Sequence, residues 1–314
     1  MKPIVIIVGP TAVGKSALGV SLAKSLNGEI ISGDSIQIYQ KLNIGSAKPT
    51  KKEQENIPHY LLDILDPTEP FTVALFQKMA LSQIQEIHSH GRIPVIVGGT
   101  GLYIRSLLDP FDFTENSSDI IRQSWNDYLT QHGREKLHNA LKERDPVSAE
   151  RLHPNDTVRI IRALEVCELT GKPFSEQRGK LDNEYPPLNP SILYIGLTAP
   201  REIIYERINR RCEEMLRLGL LEETLDLLKQ AYSPRLKPLQ SIGYRHAIWF
   251  LTGKSTFSEM LRIFQRDTRH FAKRQLTWFR RDPRITWFNT AERDLTNIVE
   301  EITDTCRGLQ SRVE

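Results

Sequence analysis

The chain has 314 residues, of which 39% are hydrophobic and 26% charged, a composition typical of a globular protein with a substantial core. It contains no run of about 18 apolar residues and begins without the basic and apolar segments of a secretion signal, so we expect a cytoplasmic protein without a membrane span. The net charge is only +3, but residues 200–284 carry 18 Lys and Arg against 10 Asp and Glu, which is typical of a polyanion-binding surface or of a solvated basic face.

The N-terminal segment predicts a strand, a glycine-rich loop and a helix. Residues 4–8 (IVIIV) are a β-branched run typical of a strand buried on both faces of a parallel sheet. GPTAVGKS follows and fits the pattern G-x-x-x-x-G-K-[ST], which nucleotide- and ATP-binding proteins use to surround phosphate oxygens with backbone N–H groups. Lys15 adds a positive charge, and the Ser16 hydroxyl is a Mg²⁺ ligand in this pattern. The predicted phosphate or diphosphate site comprises Gly9, Pro10, Thr11, Ala12, Val13, Gly14, Lys15 and Ser16.

Further strands alternate with helices along the chain. EIIS at residues 29–32, IPVIV at 93–97 and SILYIGL at 191–197 have strand character, and residues 71–91 predict a helix with Thr72 at its N-cap. This alternation predicts an α/β fold, a P-loop NTPase-like three-layer core with a parallel sheet.

Asp34 and Thr100 each follow one of these strands. Because the carboxyl ends of parallel strands share one edge of a sheet, both side chains are expected near the phosphate loop. Asp34 could act as a general base, ligate magnesium through water or cap the following turn. Thr100 could orient a reacting group or cap a helix.

The pattern changes between residues 113 and 188, where short helical stretches are separated by DP, HPND and TGKP. Asp156 is expected at the N-cap of one of these helices. We therefore predict an α/β core from residues 1–112 and 189–314, with C-terminal helices, and an all-helical insertion domain at 113–188. Cysteines 167, 212 and 306 are far apart, which predicts reduced thiols.

The last long helical stretch carries a basic stripe. At helical spacing its basic residues fall on one face, so it is either a polyanion-binding or a solvated surface. These residues are Arg262, Arg266, Arg269, Lys273 and Arg280.

Two classes of alternative function use the same loop. A kinase of a small metabolite would need an adenine site, and no stretch indicates one. A nucleic-acid-dependent NTPase would need a second Walker motif, but IPVIV ends in Gly98–Gly99 and EIIS reaches Asp34 only through Ser32–Gly33.

Seven motifs nevertheless occur in a specific order: GPTAVGKS, DSIQIYQKLNIGSAKP, HYLLDILDP, GRIPVIVGGTGLY, HPNDTVRIIRALEV, QSIGYR and KRQLTWFR. From residue 3 to about residue 281 the chain thereby closely resembles the tRNA dimethylallyltransferases, the bacterial tRNA isopentenyltransferases. The resemblance implies transfer of a dimethylallyl group from dimethylallyl diphosphate to N6 of adenosine 37 in tRNA. The phosphate loop would hold the diphosphate leaving group with Mg²⁺, and the insertion would contact the anticodon stem-loop. A monomer is our default expectation.

Individual roles follow from the resemblance by position. Asp34 matches the general base, and Thr100 matches a hydroxyl near the N6 amine. Arg211 matches a diphosphate-binding arginine, although Arg207 and Arg210 leave that alignment open. The stretches that match tRNA contacts contain Asp34, Ser35, Ile36, Gln37, Thr100, Arg122, Val158, Arg159, Ile160, Ile161, Arg162, Gln240, Ser241, Ile242, Gly243, Tyr244, Arg245, Lys273, Arg274, Gln275, Leu276, Thr277, Trp278, Phe279 and Arg280.

Overall fold

The computed structural model describes residues 3–109, 118–177 and 192–310. The chain divides into two compact units, one of Met1–Leu108 with Leu188–Glu314 and one of Asp109–Pro187. The domain boundaries predicted at residues 113 and 188 lie outside the described residues.

A parallel six-stranded sheet forms the centre of the larger unit. Its strands are β1 (Ile4–Val8), β2 (Gly28–Ser32), β3 (His59–Tyr60), β4 (Ile93–Val97), β5 (Ile192–Thr198) and β6 (Thr286–Asn289). Their order is β3-β2-β4-β1-β5-β6, and every neighbouring pair is parallel. Val5 of β1 lies beside Val95 of β4 and Leu193 of β5, so the strand that precedes the phosphate loop is central. The predicted α/β class with a parallel sheet is confirmed.

Helices cover both faces of this sheet and also build the smaller unit. In chain order they are α1 (Lys15–Ser25), α2 (Lys51–Gln54), α3 (Val73–Ser89), α4 (Gly101–Leu108), α5 (Asp119–Arg144), α6 (Pro146–Arg151), α7 (Thr157–Thr170), α8 (Phe174–Gln177), α9 (Arg201–Arg217), α10 (Leu220–Lys229), α11 (Tyr244–Leu251), α12 (Phe257–Phe279) and α13 (Leu295–Gln310). Thr72 caps α3 as predicted, since its hydroxyl accepts a hydrogen bond from the Leu75 N–H at 3.2 Å. None of the helices in the described ranges has the length and apolar character that a bilayer crossing requires.

Strand β1 contributes to two separate hydrophobic cores. Successive side chains of a strand point to opposite faces of a sheet. Ile4, Ile6 and Val8 therefore pack into the core under α3, α4 and α9–α12, whereas Val5 and Ile7 pack into the core under α1 and α13. All five are buried, so the strand that positions the phosphate loop is enclosed on both faces.

The smaller unit has its own core and contains α5–α8. Asp145, fully buried, caps α6 by accepting from the Ser148 N–H at 3.0 Å and also accepts from the Ser175 hydroxyl at 2.7 Å. Asp156 occupies the N-cap position of α7, but its side chain caps no backbone N–H there and instead pairs with Arg159 at 3.2 Å. The predicted N-cap position of Asp156 is therefore confirmed, although its carboxylate contacts Arg159 rather than the helix backbone.

Candidate active site

The loop after β1 forms an anion cradle at the carboxyl edge of the sheet. Gly9 has φ of 144°, and a Cβ atom there would lie 2.5 Å from the Leu197 carbonyl oxygen, so no larger residue fits. Lys15 begins α1, and its Nζ donates to the Pro10 carbonyl at 2.8 Å. This bond folds the lysine side chain over the loop, where its charge faces any anion held by the backbone N–H groups.

A second cation lies in the same cavity, which has a volume of about 360 Å³. Arg211 of α9 reaches it and donates to the Thr11 hydroxyl at 3.4 Å. Loss of hydration and, to a smaller extent, the positive charge of Arg211 lower the pKa of Lys15 to about 8, and Asp34 opposes both effects. Two neighbouring cations with one nearby carboxylate favour an anionic ligand, because a polyanion would relieve their repulsion.

The structure distinguishes the three arginines that sequence comparison left open. Arg207 donates to the Thr290 hydroxyl at 3.3 Å, and Arg210 is exposed. Of the three, Arg211 alone lines the cavity.

Asp34 uses one carboxylate oxygen for local structure. Its Oδ1 accepts from the Ile36 N–H at 2.8 Å and from the Gln37 N–H at 3.3 Å, so the turn-capping interpretation holds for this atom. Its Oδ2 accepts from no group in the described part of the chain, and Asp34 lines the cavity. The carboxylate is thus held in one orientation with its second oxygen left to accept a proton.

Thr100 lies next to Asp34, and its side chain does not cap a helix. Its hydroxyl oxygen accepts from the Ser35 N–H at 3.1 Å, while its backbone carbonyl accepts from the Tyr103 N–H at 3.0 Å at the start of α4. The hydroxyl therefore ties the end of β4 to the loop after β2 and still has its own proton to donate.

These two strand ends touch through their backbones. The Gly33 N–H donates to the Val97 carbonyl at 2.8 Å. A Cβ atom on Gly98 would lie 2.2 Å from the Gly33 carbonyl oxygen. Glycine is therefore required at residue 98, and no side chain separates the loops that carry Asp34 and Thr100.

Gln37, one of the residues that match tRNA contacts, donates its amide hydrogens within the protein. Its Nε2 donates to the carbonyls of Ser46 and Ala47 at 3.2 and 3.1 Å. The Ser32 hydroxyl approaches its Oε1 at 3.4 Å. Any contact with a base would therefore use the carbonyl side of this amide.

Glu223 of α10 supports the loop that carries those two carbonyls, and sequence reasoning missed it. Its carboxylate accepts from the N–H groups of Asn43, Ile44 and Gly45 at 3.0 to 3.3 Å, and from the Tyr244 hydroxyl at 2.5 Å. Tyr244 itself is fully buried. Glu223 stands in an amphipathic helix like many exposed glutamates, so the sequence carried no signal for this role.

The basic stripe on α12 is heterogeneous. Arg269 donates to Asn209 Oδ1 at 2.7 Å and lies over the Tyr205 ring, whereas Arg266 pairs with Asp267 at 2.9 Å. Lys273 is exposed. An open groove beside this helix is lined by His270, Lys273, Arg274, Thr277, Trp278 and Arg281.

The residues predicted to contact tRNA lie in several kinds of surroundings. Ile160, Ile161, Tyr244, Gln275 and Phe279 are buried. In the smaller unit, Arg122 and Arg162 both pair with the buried Glu165 carboxylate, at 2.9 and 2.7 Å, while Val158 is 78% exposed and Arg159 is exposed. The members that line the cavity of the larger unit are Asp34, Ser35, Ile36, Gln37, Thr100, Gln240, Ser241, Ile242, Arg245, Arg274 and Gln275.

The cavity also contains oxygen donors suited to a hard cation. The Ser16 hydroxyl and the Asp34 carboxylate both line it. Within the described ranges no three His, Cys, Asp or Glu residues cluster as metal ligands. Mg²⁺ does not require such a cluster, since it keeps several waters and binds through one or two protein oxygens plus substrate phosphates. The donor set therefore fits Mg²⁺ held together with a phosphorylated substrate.

Comparison with known proteins gives a consistent result. The sequence profile described as IPP transferase matches residues 37–282, and that described as isopentenyl transferase matches residues 2–66. A tRNA dimethylallyltransferase from Desulfitobacterium hafniense is 69% identical over 314 residues, covering 100% of both chains. One from Carboxydothermus hydrogenoformans is 50% identical over 304 residues, covering 96% of each.

Comparison with solved structures indicates the same family. The tRNA isopentenylpyrophosphate transferase of Bacillus halodurans is 39% identical with a TM-score of 0.73, covering 99% of this chain and 98% of that one. A eukaryotic dimethylallyltransferase described as acting on tRNA is 30% identical with a TM-score of 0.79, covering 94% and 75%.

Proposed function

This chain belongs to the IPP transferase family, and from that premise we propose that it transfers a dimethylallyl group from dimethylallyl diphosphate to N6 of adenosine 37 in tRNA. The observation that carries the proposal is one cavity that holds an anion-binding loop, two cations and a carboxylate with an unengaged oxygen. Family membership favours this transferase over a P-loop kinase of a small metabolite.

The phosphate loop would bind the leaving group. Within residues 9–16, backbone N–H groups other than that of Thr11, which bonds Gln275, would point at the diphosphate. Lys15 and Arg211 would neutralise its charge. As the C–O bond of the allylic substrate breaks, the electron pair stays on a diphosphate oxygen. Stabilising that developing charge lowers the barrier, and no phosphoryl group is transferred.

Asp34 would act as the general base. The N6 amine of adenine is a poor nucleophile until its proton has an acceptor. As the N–C bond forms, Oδ2 would accept the N6 proton, while the N–H groups of Ile36 and Gln37 hold Oδ1. The Thr100 hydroxyl would orient the amine, since it is fixed beside Asp34 by the Ser35 N–H.

The proposed cofactor is Mg²⁺, held by Ser16 and by substrate oxygens. When bound, it would add positive charge at the diphosphate and so help the leaving group to depart. Ser16 lies in the first turn of α1 next to Lys15, which places its hydroxyl at the phosphate end of the cavity.

The proposed partner is the anticodon stem-loop of tRNA. An adenine within a loop must leave its stack to enter a cavity. We assign its phosphate contacts to exposed cations such as Lys273 and Arg159, and we assign a tRNA-contacting role to the helical insertion predicted at 113–188. All groups proposed for the chemistry lie in one unit of one chain, which supports a monomeric enzyme.

One incubation tests the proposal. The protein is mixed with Mg²⁺, radiolabelled dimethylallyl diphosphate and unmodified tRNA that carries adenosine at position 37. We expect label in the tRNA, and none in a matched tRNA with guanosine at that position. Absence of label from both would refute the transferase. Consumption of ATP that depends on a small acceptor would favour the kinase, and ATP hydrolysis that depends on nucleic acid would favour an NTPase.

A further inference from the structure

Gln275 of α12 joins two loops of the cavity although it lies far from both in sequence. Its Oε1 accepts from the Thr11 N–H at 2.8 Å, across 264 residues of chain, and its Nε2 donates to the Gly99 carbonyl at 3.0 Å, across 176 residues. The side chain is 6% exposed. Because one partner is a donor and the other an acceptor, the chemistry of the partners fixes the orientation of this amide.

Both partners belong to the candidate site. Thr11 lies within the phosphate loop, and its hydroxyl also accepts the hydrogen bond from Arg211. Gly99 immediately precedes Thr100, and a Cβ atom on Gly99 would lie 2.3 Å from the Gln275 Nε2. The amide is therefore packed tightly between the anion-binding loop and the strand end that carries the Thr100 hydroxyl.

The same helix presents cations to the outside. Lys273 and Arg274 directly precede Gln275 in sequence and are exposed. Trp278, one turn further on, packs its indole ring over Gly101. Helix α12 thus has a basic surface exposed to solvent and a buried side that bonds to Thr11 and Gly99 of the cavity loops.

We propose that Gln275 is a positioning residue of the diphosphate site, which holds the phosphate loop and the Thr100 strand end at a fixed separation through its amide. The inference rests on the proposed function and departs from the tRNA-contact role that the resemblance implies for this residue. A nucleic acid seated on α12 would then be held in register with the diphosphate, because one helix supports both.

Two isosteric variants test this role with inorganic pyrophosphate and Mg²⁺ as the probe, measured calorimetrically without RNA. Gln275→Met keeps the volume but loses both hydrogen bonds, and we expect pyrophosphate to bind about tenfold more weakly. Gln275→Glu can still accept from the Thr11 N–H, but its second carboxylate oxygen would face the Gly99 carbonyl oxygen with no hydrogen to donate. It also places a negative charge near Lys15. We expect about hundredfold weaker binding for this variant.

Gln265→Met is the matched control. Gln265 lies on the same helix and donates to Glu213 at 3.0 Å, but it does not line the cavity. We expect it to leave pyrophosphate affinity unchanged. In transfer assays Gln275→Met should raise KM for dimethylallyl diphosphate and lower kcat, with the Kd for tRNA within about twofold of wild type.

Three outcomes would overturn the inference. One is weakened tRNA binding with unchanged pyrophosphate affinity, which would make Gln275 an RNA contact. The second is a lower Tm for both variants with unchanged pyrophosphate affinity, which would make the amide merely structural. The third is equal weakening in the Gln265→Met control. Since pyrophosphate binding requires no transfer, failure of the proposed function in wild type would be seen separately.

Discussion

The pKa of Lys15 makes anion binding dependent on pH, and the sign follows from the structure. Loss of hydration and Arg211 hold the pKa of this amine at about 8 in the free protein. A bound diphosphate favours the charged amine and raises its pKa. Binding above about pH 8 therefore takes up a proton, and affinity falls as the pH rises through that value.

The magnitude follows from the same pKa. If the site binds diphosphate only when Lys15 is charged, the affinity is divided by one plus the ratio of neutral to charged amine. This factor is close to one at about pH 7 and about ten at about pH 9, which corresponds to about 1.4 kcal/mol. Arg211→Met should move the midpoint to higher pH, because the arginine charge contributes to lowering the pKa of Lys15.

The prediction is tested by measuring the Kd of pyrophosphate in the presence of Mg²⁺ across this pH range, for wild type and for Lys15→Met. The ligand ionises identically in both titrations, so the ratio of the two constants isolates the lysine. We expect this ratio to approach a plateau below about pH 7 and to change about tenfold by about pH 9. A flat ratio would refute the reasoning, since Lys15 would then keep its charge throughout.

Four further substitutions test other parts of the protein. Asp34→Asn keeps an oxygen for the turn but removes the base, so kcat should fall by about 10² to 10⁴ with tRNA Kd unchanged; normal turnover with weak binding would contradict that role. Lys273→Ala should reduce the slope of log tRNA affinity against log salt concentration by about one. Arg269→Ala should leave this slope unchanged, because the Arg269 guanidinium already donates to Asn209. Equal slopes for the two variants would contradict this difference between the two residues. Tyr244→Phe removes a buried hydroxyl bonded to the Glu223 carboxylate and should lower the free energy of unfolding by about 1 to 3 kcal/mol in urea titrations; an unchanged midpoint would show that the bond contributes nothing.

The parts of the fold that sequence predicted are those with strong local signals. Strands β1 and β4 are continuous apolar runs, and their observed bounds are the predicted ones. Strand β3 has two residues and the β6 sequence TWFN is half exposed, so neither shows a usable periodicity. Strand order depends on pairing between distant segments, which no local pattern contains.

The same distinction applies to the site. The rule that parallel strands end at one edge places Asp34 and Thr100 together, and the Ser35 N–H links the two loops. The role of Gln275 could not be predicted this way, because both of its partners lie more than a hundred residues away in sequence. Helical periodicity also placed Arg269 and Lys273 on one face of α12, but it could not show that neighbouring side chains already engage Arg269.

The backbone contact between Gly33 and Gly98 limits how this site can change. Since no side chain lies between the two loops, repacking of the surrounding core cannot act as a spacer that moves Asp34 relative to Thr100. The separation of these two groups is therefore insulated from most substitutions elsewhere in the protein. Engineering toward a different acceptor would have to work at the cavity walls formed by residues such as Ile242 and Phe271, while this pair of loops stays constant.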